Sequence, residues 1–145
     1  MSTVQDLLDT IDRYSKTYRR DDVPQLKISK LYDLFPEKGG ANSEVELSWP
    51  DKVPYEGTAG VYVFLDKERK LLYIGKASMN NSLGDRLGAY YKYDGAKRCQ
   101  LKHPWKVEPR YIITIAVPAK MRFEAPALEE FLVTNLEPTE NTVGR

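Results

Sequence analysis

Histidine and cysteine are almost absent from this 145-residue sequence, His103 and Cys99 being the single examples of each. One cysteine excludes an internal disulfide and any Cys-rich zinc site, and it suits a reducing compartment. One histidine excludes an HExxH zincin, a Cys2His2 finger and any site built on paired imidazoles. An excess of charge of one sign is also missing, with 22 Lys and Arg against 21 Asp and Glu. No apolar run approaches membrane-spanning length and no basic-then-apolar leader opens the chain, so the sequence reads as a cytoplasmic protein.

What is present is ordinary in bulk and uneven in detail. An apolar fraction of 41% with 30% charged residues belongs to a folded globular chain. The length fits one domain able to bury roughly 68–70% of its unfolded surface. Tyrosine, by contrast, occurs ten times. Charge is also segregated: residues 1–59 hold 8 basic and 11 acidic groups, and residues 92–110 hold 6 basic and 2 acidic. A basic middle between acidic flanks is compatible with a polyanion partner, because the local field, not the net charge, attracts phosphate.

Periodicity gives the coarse organisation. Val4, Leu7, Leu8, Ile11, Tyr14 and Tyr18 recur at helical spacing, and Thr3 with Asp6 supplies a capping-box start. Ile28, Leu31, Tyr32 and Phe35 predict a second short helix over about 24–34, stopped by Pro36. Val45, Leu47 and Trp49 alternate with polar residues as a half-exposed strand. Residues 1–55 thus form a helical and strand extension packed on a core spanning 56–145. In that core, Gly60–Asp66 and Leu71–Gly75 read as an antiparallel hairpin. Asn81 or Ser82 caps a helix running to about Tyr91, with Gly84 and Gly88 implying a close approach to its face. Tyr111–Val117 is the strongest strand, and Pro126–Leu136 forms a last helix ended by Pro138. The class is α+β, a small three-stranded antiparallel sheet flanked by helices.

Gly60-Val61-Tyr62, then Tyr73-Ile74-Gly75-Lys76, then Arg86 with Tyr90 one turn later, then Leu128-Glu129 followed by Pro138 and Asn141, form one ordered series. This series resembles the signature of the GIY-YIG nuclease superfamily, and its spacing is similar to that of the catalytic module of the bacterial excision-repair incision subunit. The stretch between Lys76 and Arg86 is a few residues longer here than in that module. The resemblance implies a metal-dependent endonuclease hydrolysing DNA phosphodiester bonds, with repair, restriction, mobile-element and branched-DNA enzymes sharing the core. It implies Glu129 as the single ligand of one Mg²⁺ (or Mn²⁺), with Glu130 and Glu124 as alternatives. It implies Tyr62 as acceptor or relay of the attacking water's proton, and Tyr73 as the group that orients water or substrate.

The residue chemistry carries further expectations. A phenol is a poor base unless cations stabilise its phenolate, and Lys76 could supply that charge. Arg86 offers a planar fork for a phosphate oxygen, or a surface ion pair with Asp85. Asn141 could hold the scissile phosphate through its amide, or serve as a turn residue. Lys97, Arg98, Lys102, Trp105, Lys106 and Arg110 mix positive charge with an aromatic platform, the pattern of a DNA-facing rim. His103 lies in that stretch but reads as a bystander. A second reading is a non-catalytic nucleic-acid-binding or protein-interaction module on the same fold. The acidic extension could cover a sheet face, or mediate contact with a partner protein or a homodimer mate.

Overall fold

In a computed structural model, residues 2–35, 45–48, 53–96, 98–102 and 104–141 are described. Helix α1 (Val4–Tyr18) starts at the expected capping box. The Asp6 amide donates to Thr3 Oγ1, and the Thr3 amide donates to the Asp6 carboxylate. Its stripe of Leu7, Ile11 and Tyr14 is buried.

The predicted second helix is instead two short strands, β1 (Lys27–Ile28) and β2 (Leu31–Asp33). They run end to end along one edge of a later strand, β8 (Tyr111–Ala116), Lys27 lying opposite Ala116 and Asp33 opposite Tyr111. The physical reason lies in the burial of the segment. Leu31 to Phe35 are buried in succession, as in a strand covered on both faces, whereas a helix would turn some of them to solvent. The helical spacing of Ile28, Leu31, Tyr32 and Phe35 is coincidental.

Strand β3 (Val45–Ser48) falls where alternation placed it and pairs parallel to β2. The predicted continuation at Trp49 lies outside the described residues. The expected hairpin is β4 (Gly60–Leu65) with β5 (Leu71–Ala77), antiparallel. Strand order is β3-β2-β8-β4-β5, with β1 also against β8. The three-stranded sheet read from sequence is therefore the β8-β4-β5 half of a wider one, and residues 27–48 supply the other half.

Helix α2 (Leu83–Leu87) is shorter than expected. Ser82 caps it through the Asp85 amide, and Gly88 closes it. Tyr91–Tyr93 form strand β6, paired with β7 (Cys99–Leu101), because their alternating aromatics pack against the sheet. The close approach inferred at Gly84 is the backbone of Glu56, whose carbonyl accepts from the Gly84 amide at 2.8 Å. A Cβ at Gly84 would sit 3.1 Å from that oxygen, while one at Gly88 would meet nothing closer than 3.5 Å. Helix α3 (Glu124–Leu136) ends at Glu137, which adopts φ 47° ahead of Pro138.

Alternation along β4 and β8 divides the core between two sheet faces. Val61, Val63, Leu65, Ile113 and Ile115 meet α1 and α3 on one face. Tyr62, Phe64 and Ile112 meet α2 and the β6–β7 hairpin on the other. Strand β5 is the outer edge. No helix among the described residues is long and apolar enough to cross a membrane.

Candidate active site

The β4–β5 register aligns the two tyrosines of the hairpin. Tyr62 lies opposite Gly75 and Phe64 opposite Tyr73, with a bulge after Phe64 that absorbs Leu72. Directly opposite residues share a face, so Tyr62, Phe64, Tyr73 and Gly75 lie on one side of the hairpin. The Tyr62 and Tyr73 rings stack there at 6.4 Å between centroids, 23° apart. Gly75 is the seat of the Tyr62 ring: a Cβ there would lie 2.4 Å from its phenol carbon and oxygen. That clash explains the glycine physically, independent of any motif.

Tyr90, just beyond α2, closes the cluster. Its hydroxyl is 2.9 Å from that of Tyr62, and its ring centroid lies 5.5 Å from Tyr62 and 5.7 Å from Tyr73. Burial raises the Tyr62 phenol above its ordinary value, outweighing the opposite pull of the Tyr90 hydrogen bond and of Arg86. Burial likewise raises Tyr73, helped by Tyr90 and by the negative charge of Glu129. Tyr90 is pushed up to about 12, first by burial and then by its bond to Tyr62. All three phenols therefore hold their protons at neutral pH. The protein's own groups alone do not lower the Tyr62 pKa.

An open pocket of about 360 Å³ lies against this cluster, lined by Tyr62, Tyr73, Gly75, Lys76, Ser78, Met79, Asn81, Arg86 and Glu129. It gathers Tyr62, Tyr73, Lys76, Arg86 and Glu129 from β4, β5, α2 and α3. Tyr62 belongs to one sheet face and the buried side of α3 to the other, so the pocket wraps around the outer edge of β5. Arg86 is exposed on α2, and its charge lies close enough to the Tyr62 phenol to favour the phenolate. Glu129 is half-buried; desolvation raises its pKa, while Lys76 and Arg86 pull it back down. It makes no ion pair among the described residues. Two cations against one carboxylate leave the pocket suited to an anionic ligand.

The alternative glutamates are placed elsewhere. Glu124 is buried in a bidentate pair with Arg19 (2.6 and 3.1 Å) and accepts from the Tyr14 hydroxyl at 3.0 Å. Glu130 is exposed and does not line the pocket. Asn141 does not line it either. Its Oδ1 accepts from the Ile74 amide at 2.7 Å and its Nδ2 donates to the Ile74 carbonyl at 2.8 Å. That side chain clamps the chain end to β5 between Tyr73 and Gly75, so the contact with phosphate is replaced by a positioning role.

Of the residues read as a basic rim, three are exposed and two are packed into the fold. Lys102, Lys106 and Arg98 are exposed, with Lys102 Nζ donating to the Gly88 carbonyl beside α2 and Arg98 3.8 Å from Asp94. Lys97 and His103 lie outside the described residues. Trp105 is no open platform: its half-buried ring packs on Phe64, Tyr73 and Tyr90. Arg110 is withdrawn into a bidentate pair with the fully buried Asp33, at 2.6 and 2.9 Å. Sequence reasoning passed over the loop Ser78-Met79-Asn81, whose only sequence signal is the extra length before Arg86.

The donor set was tested for a metal. Among the described residues no group of three or more His, Cys, Asp or Glu side chains could hold an ion. The pocket offers one carboxylate with hydroxyl and amide oxygens, hard donors that fit a cation keeping most of its water, as Mg²⁺ does. Comparison with models of protein families and with curated proteins returns no match.

Proposed function

We propose that the pocket at the β5 edge is the active site of a metal-dependent endonuclease that hydrolyses DNA phosphodiester bonds on a GIY-YIG-like core. One observation supports this reading: Tyr62, Tyr73, Lys76, Arg86 and Glu129, picked out through the resemblance to the family's motif series, line a single pocket whose cations outnumber its carboxylates. Hydrolysis of a phosphodiester needs a positioned water, neutralisation of developing negative charge and help for the leaving oxygen.

Each side chain has a part that its surroundings permit. Arg86 presents a permanently charged fork to a phosphate oxygen from the pocket lining it shares with Tyr62. Lys76 adds a second positive charge from the strand edge. Tyr62 keeps its proton, so as a relay it takes the water's proton only as it gives its own to the departing oxygen. Tyr73, stacked beside it, orients the water or the substrate. Glu129 would hold one Mg²⁺ or Mn²⁺, which when bound supplies charge neutralisation at the phosphate and acidifies water. Asn141, through Ile74, fixes the strand carrying Tyr73 and Gly75. Lys102, Lys106 and Arg98 give sequence-independent backbone contact beside α2.

The test is plasmid nicking with Mg²⁺ or Mn²⁺, with and without EDTA. Nicking should require the metal, and Glu129→Ala should lower it by more than about a hundredfold while leaving the thermal midpoint unchanged. Undiminished activity in that variant, or DNA binding by the wild type without metal-dependent nicking, would overturn the assignment.

A further inference from the structure

Met79 breaks two local rules at one residue. Its side chain is 83% exposed, among the most solvent-accessible large apolar residues of the molecule. Its backbone sits at φ 59°, a left-handed conformation that costs a side-chain-bearing residue about 1–2 kcal/mol. Asparagine or glycine would satisfy that geometry at lower cost, and two asparagines follow directly at 80 and 81. The loop is nevertheless pinned. Arg122 Nε donates to the Met79 carbonyl at 2.9 Å and its Nη2 to the Asn81 carbonyl at 2.8 Å. The Asn81 amide donates back to the Ser78 carbonyl at 3.1 Å. Ser82, next in the chain, caps the helix that carries Arg86. An exposed apolar side chain is thus set at the rim of a polar, cationic pocket, on a loop hydrogen-bonded by Arg122, in the same lining as the residue read as the phosphate clamp.

We infer that Met79 is a wedge that enters the base stack beside the scissile phosphate, so that this protein acts on DNA whose bases are unstacked at the cleaved step. This rests on the endonuclease reading and deepens it by naming the substrate class. Methionine suits the task because it is unbranched, polarisable and apolar, and apolar side chains inserted at a base step unstack it and kink the duplex. The backbone cations hold the phosphates while Met79 opens the stack, and the phosphate then reaches a pocket recessed at the sheet edge. Local rules broken together at a site, with a dedicated compensating contact, mark function more than packing.

The experiment compares Met79→Ala, Met79→Gly and Met79→Leu on two substrates, a continuous duplex and the same duplex with a mismatched bubble at the cleaved step. The bubble has already lost its stacking, so the wedge is needed only for the continuous duplex. The ratio of continuous to bubble cleavage should fall roughly tenfold in the Ala and Gly variants and be kept by Leu. Glycine relieves the backbone without restoring the side chain, so a loss shared by Ala and Gly but rescued by Leu belongs to the wedge. A second readout needs no cleavage: wild type and Met79→Leu, in EDTA, should raise the fluorescence of 2-aminopurine set at successive positions of a short duplex, and the Ala and Gly variants should not. An unchanged ratio in all variants, or no fluorescence rise with the wild type, overturns the wedge. If the wild type cut neither substrate, the endonuclease reading would fall while the fluorescence result still decided the wedge.

Discussion

Two glutamates of helix α3 sit in opposite circumstances. Glu124, in the first turn, is 6% exposed, and Arg19 and Tyr14 hydrogen-bond its carboxylate. Glu129, just over one turn later, is half-buried at the pocket, and among the described residues its compensating charges are Lys76 and Arg86, neither in an ion pair with it. The contrast extends to the sheet faces behind them. The core of the α1–α3 face is largely aliphatic, whereas that of the opposite face is rich in aromatics. The first glutamate is arranged to be stable and the second to be available. A carboxylate held partly desolvated with no ion pair is a cost to folding that a ligand cation would repay.

The largest effect on stability should come from breaking the satisfied end. Glu124→Ala leaves Arg19 buried without its partner, and such losses cost about 3–5 kcal/mol. Chemical denaturation should show a midpoint shift of that order, while Glu129→Ala shows nearly none. If the two variants lost similar stability, the division between a structural and an available glutamate would collapse.

Next in size is an alteration at the tyrosine cluster. Gly75→Ala drives a methyl to within 2.4 Å of the Tyr62 ring, which is itself confined by Phe64, Tyr73 and Tyr90. Overpacking of this kind costs about 1–3 kcal/mol, and the displaced phenol should lower nicking more than it lowers stability. Nicking that fell only in proportion to the folded fraction would separate Tyr62 from the chemistry.

The parts of this molecule legible in the sequence are those whose cause is local. The Thr3–Asp6 capping box, the Ser82 cap and the β4–β5 hairpin are each decided within about a dozen residues, and each is present. The segment 24–34 failed because its helical spacing carried no record of its partner, the edge of β8 some eighty residues away. Arg110 failed for the same reason: nothing near it in sequence announces Asp33. In the pocket, Tyr62, Tyr73, Lys76, Arg86 and Glu129 were found by residue type and order. The hydroxyl contact of Tyr90, the Ile74 clamp of Asn141 and the Arg122-held loop required coordinates, because each is a contact between distant segments.

A more modest effect is expected at the rim, where interactions are exposed and screened. Replacing Lys102 and Lys106 with Ala should weaken DNA binding severalfold, uniformly across sequences, and reduce the slope of log affinity against log salt by about 2. Thermal stability should not move, since exposed charges contribute about 0–1 kcal/mol. An unchanged salt slope would place the DNA track elsewhere on the molecule.

The smallest effect is the most direct probe of why Glu129 differs from Glu124. Its folded-state pKa is raised above the ordinary 4.5, chiefly by burial, with Glu130 adding to it and Lys76 and Arg86 opposing. A carboxyl with a raised folded pKa stabilises the fold while protonated, and that contribution is lost as pH climbs from the unfolded value through the folded one. At neutral pH the wild type therefore carries an ionised group it would be more stable without. Glu129→Gln, which keeps the shape and removes the charge, should melt slightly above the wild type at pH 7, and the gap should close as pH falls below 4.5. Added Mg²⁺ should raise the wild-type midpoint and leave that of Glu129→Gln unmoved, because only a carboxylate gains from the cation. The inactive variant would then be the more stable one, the expected sign where a site is kept available at the expense of the fold. A glutamine variant less stable than the wild type at pH 7 would mean that Glu129, like Glu124, is held by a favourable partner, and the two glutamates of α3 would no longer differ.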